Sequence, residues 1–78
     1  MDDATLIRMA NQIADFFAAS GHDEAVKGIA GHIRNFWDPR MRRALYGLVD
    51  AGGHELNPLA KDAAVALRQT DQAMAAKN

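Results

Sequence analysis

Asp38-Pro39 is the sharpest local constraint in the chain. A residue before proline is pushed out of the α region, and proline is preorganised for the first helical position. Asp38 therefore reads as an N-cap and Pro39 as N1, with the Asp38 carboxylate accepting from the backbone N–H of Arg40 or Met41. Upstream, Ile29, Ile33 and Phe36 repeat at helical spacing, and downstream Met41, Leu45, Leu48 and Val49 do the same. The pattern predicts a helical corner with Phe36 and Trp37 packed into the bend. Asn57-Pro58 repeats the same cap signal, so the chain announces two helix starts by one device.

The remaining segments also read as helix. The first helix is expected over Ala4 to Ala19, capped by Asp2 or Asp3 and stopped by Gly21. Leu6, Met9, Ala10, Ile13, Phe16 and Phe17 fall on one core-facing stripe, with Ile7, Ala14 and Ala18 on a second flank. The second helix starts near Asp23-Glu24 and turns Val26, Ile29, Ala30, Ile33, Phe36 and Trp37 to one side. The third runs from Pro39 to about Ala51, where Gly52-Gly53 supplies a left-handed terminus. The fourth carries Leu59, Ala60, Ala63, Ala66 and Leu67 on one face. The tail 70–78 extends that helix or frays. No strand alternation occurs, so the expected class is all-α, a small bundle of three to four short helices. It forms a single domain over 1–78, with a core at about 4–69. The expected core is Leu6, Ile13, Phe17, Ile29, Ile33, Leu45, Leu48 and Leu67.

Composition narrows the function. At 78 residues the chain buries only about 60% of its unfolded surface, so it is marginal alone unless stapled or bound. It has no cysteine, hence no disulfide and no thiolate metal site, which also fits a reducing cytoplasm. A net charge of −1 argues against a general nucleic-acid binder. No apolar run approaches a membrane span, and Met1-Asp2-Asp3 is unlike a signal peptide. His22, His32 and His54 lie in different segments, without the i, i+4 partner that a two-histidine metal face needs. No strand precedes a glycine-rich loop, and so small a chain lacks the volume for a walled active site. Neither a catalytic nor a metal-binding residue is assigned.

Two features point outward instead. Gly28, Gly31 and Asn35 lie on the side of the second helix opposite its core, as Gly47 does in the third. Each mid-helix glycine costs about 1 kcal/mol relative to alanine, which suggests close approach of another backbone. Arg40, Arg42 and Arg43 crowd the start of the third helix, where positive charge opposes the dipole. They read as a solvated rim or as a corner for an acidic partner or a phosphate. The expected partner-binding set is thus Gly28, Gly31, Asn35, Arg40, Arg43 and Gly47, with Arg40, Arg42 and Arg43 for any phosphate.

The wording of the chain resembles a known family. Arg8-Met9-Ala10-Asn11-Gln12-Ile13-Ala14-Asp15-Phe16-Phe17, Gly28-Ile29-Ala30, His32-Ile33-Arg34, Phe36-Trp37-Asp38-Pro39-Arg40-Met41-Arg42, Ala51-Gly52-Gly53, Leu56 and Pro58-Leu59 are similar to the delta subunit of NAD-dependent formate dehydrogenase, the FdsD family. The resemblance runs from Leu6 to Leu67, and its most specific piece is the Phe-Trp-Asp-Pro-Arg-Met corner. It implies a non-catalytic accessory subunit of a cytoplasmic molybdenum enzyme, partnering the catalytic alpha subunit and its beta and gamma partners. The bis-molybdopterin guanine dinucleotide, iron–sulfur clusters, FMN and NAD would belong to those larger subunits, with none bound by this chain. Stabilisation or assembly of the catalytic subunit is the implied role. The alternative is a maturation factor that contacts the guanine dinucleotide cofactor or another phosphate compound through the arginines. No membrane or nucleic acid is implied, and self-association of the isolated chain is a third possibility.

Overall fold

The computed structural model describes residues 2–76, which contain four α-helices and no strand. The helices are α1 (Asp3–Phe17), α2 (His22–Phe36), α3 (Pro39–Asp50) and α4 (Pro58–Ala76). Their ends follow from the local chemistry. Asp2 accepts from the Thr5 N–H at 2.8 Å and starts α1. After Phe17 the helix tightens into one 3₁₀ turn, Ala18–Ser20, and Gly21 reverses the chain at φ +85°. Asp38 has extended backbone and accepts from the Met41 N–H at 2.9 Å, with Pro39 at the first helical position. At the end of α3 the Gly53 N–H reaches the Leu48 carbonyl and the Gly52 N–H that of Val49, a Schellman closure. Asn57 caps α4 by accepting from the Leu59 N–H at 2.8 Å. The C-terminal stretch extends α4 as helix through Ala76, and the expectation for Lys77 and Asn78 lies outside the described residues.

The packing order differs from the chain order. α2 packs chiefly on α4 and α1, and α3 on α4 and α1, while α2 and α3 scarcely touch although they are consecutive. α4 therefore returns between them, and α2 and α3 sit at opposite corners of the bundle. The radius of gyration, 11.7 Å, matches the roughly 11.5 Å of a compact chain this long, so α4 is no detached arm.

The core at the centre is Leu6, Ile29, Ile33 and Leu45, filled out by alanines from three helices, Trp37, Leu56 and Leu67. Five of the eight expected core residues are buried, and Ile13, Phe17 and Leu48 pack against them while partly exposed. The alanines set the spacing: Ala10, Ala14, Ala25, Ala60, Ala63 and Ala64 are buried, so helices approach closely. Ala14, placed on a flank from sequence, is in the core, and Ala18 is exposed. Asn11 fixes the turn before α4. It donates to the Glu55 carbonyl at 2.9 Å and accepts from the Asn57 N–H at 2.7 Å.

Two phenylalanines correct the sequence reading. Phe36, expected inside the bend, is 73% exposed, whereas its neighbour Trp37 is 4% exposed. Trp37 leaves the helix with extended backbone (φ −96°, ψ 136°), and its indole takes the place in the core. Phe16, expected on the core stripe, is 80% exposed, because the adjacent Phe17 takes the seat against α2.

Candidate functional site

The arginine corner divides by role. Arg42 is engaged within the chain: its Nε donates to Asp71 of α4 at 3.2 Å. Its Nη1 reaches the carbonyls of Arg34 and Trp37 at 3.4 and 3.3 Å. A guanidinium on the last carbonyls of α2 suits the negative end of that helix. It also joins α2, α3 and α4 at one point. Arg42 thus has an internal partner that local spacing did not suggest, and Asp38 is its cap neighbour rather than its counter-ion. Tyr46 donates to the same Asp71 oxygen at 2.6 Å, and burial first, then this bond, pushes its phenol well above its usual range. Arg68 pairs with Asp50 and stands 5.9 Å from the Tyr46 ring centre. That pairing holds the Asp50 carboxyl below its ordinary value.

Arg40 and Arg43 are exposed and, with Asp38 and Pro39, line a shallow depression at the start of α3. Among the described residues neither is in salt-bridge range of a carboxylate. Gly47 lies beyond Arg43 in the furrow between α3 and the end of α4.

The expected glycine face does not join this corner. Gly28, Gly31 and Asn35 are on α2, diagonal to α3. Gly28 also has an internal reason: a Cβ there would stand 2.5 Å from the ring of Phe17. Gly31 borders the α2–α4 furrow beside Arg34 and Leu67, with open space where its Cβ would be, as at Gly47. Asn35 is exposed. The six residues expected to form one surface are split between two.

An apolar groove of about 510 Å³ runs between α1 and the end of α2, and sequence reasoning missed it. Met9, Ile13, Phe17, Trp37 and Met41 line it, with Phe16 and Phe36 beside them and only Gln12 and His32 as polar neighbours. Each exposed ring leans on a second one. Phe16 meets Phe17 edge-on with centroids 5.1 Å apart, and Phe36 lies against His32 at 4.7 Å. The i, i+4 spacing of His32 and Phe36 was the available signal, since that pair shares one side of a helix.

His22 is the other concentration of titratable groups. It contacts Asp62 of α4 at 2.9 Å and Asp23 at 3.1 Å, and these bonds raise its pKa above 6.5. Among the described residues no three His, Asp or Glu side chains group as metal ligands would. No helix among them is long and apolar enough to cross a membrane.

A family model described as NADH-dependant formate dehydrogenase delta subunit FdsD matches residues 5–64, about three quarters of the chain. The chain belongs to the FdsD family. Comparison with curated proteins and with solved structures finds no match. The FdsD match takes in nearly all of α1, the whole of α2 and α3, and the start of α4. The three groove phenylalanines, Phe16, Phe17 and Phe36, and the Arg40–Arg43 corner therefore fall inside the FdsD span, whereas Asp71, which holds Arg42 and Tyr46, lies beyond it.

Proposed function

We propose that this chain is a non-catalytic accessory subunit of a cytoplasmic, molybdenum-containing, NAD-dependent formate dehydrogenase. It stabilises the catalytic subunit or assists its assembly, while the larger subunits hold the molybdopterin, iron–sulfur, flavin and nicotinamide groups. The family match over residues 5–64 carries this reading. The physical character of the chain supports it: a small bundle with two large aromatic side chains in solvent and two arginines without a counter-charge among the described residues suits a partner. Arg40, Arg43 and Gly47 form the α3 side of the docking surface in this reading, and Gly31 and Asn35 would serve a second contact.

A maturation factor that touches a phosphate-bearing cofactor is the competing reading, and the exposed Arg40 and Arg43 favour it. Arg42, committed to Asp71, contributes less to it than the sequence suggested. Stoichiometry separates the two. Purification of the active enzyme from cells that express a tagged copy of this chain should retain it in a fixed ratio to the catalytic subunit. Loss of the chain from fully active enzyme would favour the maturation role.

A further inference from the structure

We infer that Arg42 and Tyr46 form a carboxylate-binding site that Asp71 fills in the free chain, and that an Asp or Glu side chain of the catalytic subunit replaces Asp71 on assembly, releasing the end of α4. The inference rests on the accessory-subunit reading and adds to it the residues that receive the partner.

The carboxylate already in place shows what the site takes. Tyr46 Oη and Arg42 Nε both donate to Asp71 Oδ2, at 2.6 and 3.2 Å. Two donors on one ionised oxygen make a strong acceptor site, and the i, i+4 spacing of Arg42 and Tyr46 puts both on one side of α3. Neither depends on Asp71 for its position. Nη1 of Arg42 is held by the carbonyls of Arg34 and Trp37, and Tyr46 is buried. The site therefore keeps its shape when the carboxylate leaves.

Asp71 sits on a weakly attached segment. Leu67 is buried, but none of residues 68–75 is. Among the described residues, the side-chain hydrogen bonds that tie residues 69–76 to other helices are those at Asp71 and one from Arg34 to the Met74 sulfur, a poor acceptor. A helix end without buried apolar contacts opens at low cost. The FdsD match also ends at residue 64, after Arg42 and Tyr46 and before Asp71, so the site lies within the matched span and its occupant outside.

A replacement has room and an added attraction. A furrow of about 690 Å³ between α3 and α4 adjoins the site, and at Gly47 nothing lies within 4 Å of where a Cβ would be. Arg43 lines the same furrow and has no carboxylate in salt-bridge range among the described residues. Asp50, the other carboxylate there, is paired with Arg68. An acidic segment in the furrow thus gains a cation that Asp71 does not engage.

Two sets of measurements on the full chain test this. Asp71→Ala puts a good helix former outside the core, and circular dichroism should show it folded. In sodium acetate, against sodium chloride at equal ionic strength, its melting temperature should rise by a few degrees more than that of the parent or of Tyr46→Phe/Asp71→Ala. An equal rise in all three would overturn the site. With the large enzyme subunits, tagged Asp71→Ala should bind about tenfold more tightly than the parent, because no internal carboxylate competes. Adding Tyr46→Phe should remove about tenfold. Hydrogen exchange at residues 69–75 of the parent should be faster in the assembled enzyme than in the free chain. Asp71→Ala binding no tighter than the parent, or exchange unchanged or slowed on assembly, would overturn the replacement of Asp71 while leaving the accessory role intact. A parent that binds none of the large subunits would overturn the accessory role and the proposed occupant together.

Discussion

Tyr46 on α3 donates a 2.6 Å hydrogen bond to Asp71 on α4, and Arg42 shares the same carboxylate oxygen. Three side chains from two helices thus meet at one atom, beside the end of a third helix. Tyr46→Phe removes one charged-acceptor bond and should lower stability by about 1.5 kcal/mol. Asp71→Ala leaves the half-buried Arg42 without its counter-charge and should cost about 2 kcal/mol, between the exposed and fully buried limits. Thermal melts check both, with roughly 4–8 °C expected per kcal/mol for so small a domain. Equal melting of Tyr46→Phe and the parent would show the bond to be absent in solution.

The helical glycines should separate by what surrounds them. Gly31→Ala and Gly47→Ala add a methyl to open space and should stabilise by about 0.5–1 kcal/mol each. Gly28→Ala should fail to gain, because its methyl meets the Phe17 ring and forces it from its seat. In a Phe17→Ala background that penalty should vanish. Chemical denaturation of the three variants and the double one measures the difference.

Neighbouring aromatics at the corner should behave oppositely. Trp37→Ala opens a core site and should cost about 3–5 kcal/mol, much of what a domain this size has. Phe36→Ala should stay within about 0.5 kcal/mol of the parent in the free chain. A large loss at Phe36 would mean its ring packs inward in solution.

His22 gives the stability a pH dependence. The bonds to Asp62 and then Asp23 favour the charged imidazolium and raise its folded pKa above 6.5. Their contribution is therefore fully present below about pH 6.5 and is lost as pH rises through the raised folded value. Between about pH 6 and pH 8 the melting temperature should fall slightly, since the ring is mostly exposed. His22→Ala should remove that component of the slope, leaving the remainder unchanged.

Helix boundaries were legible because they are written locally. Asp38-Pro39, Asn57-Pro58 and Gly52-Gly53 each act over four or five residues, and all three form the caps or closure their chemistry implies. The central aliphatics Ile29, Ile33 and Leu45 were legible from periodicity. Phe16 and Phe36 were misplaced at helix ends, where an apolar stripe says which side a residue is on but not whether a neighbour covers it. Phe16 and Phe17 are adjacent in one stripe, and only the gap at Gly28 shows which ring goes in. Arg42 and Asp71 are 29 residues apart, a distance no helical spacing rule reaches. The groove and the split of the expected docking surface depend on α4 lying between α2 and α3, which no local pattern states.

That placement of α4 bears on how the chain assembles. Short helical bundles commonly fold fast because each helix docks on the next in sequence, so little loop entropy is lost before contacts form. Here the α2–α3 junction provides almost no such docking, and the principal partner of α2 is about forty residues away. The bundle becomes cooperative only when the last helix has arrived. Folding should therefore be slow for an all-helical chain of this length, with the α1–α2 hairpin waiting, its α4-facing side uncovered, until synthesis has passed Leu67.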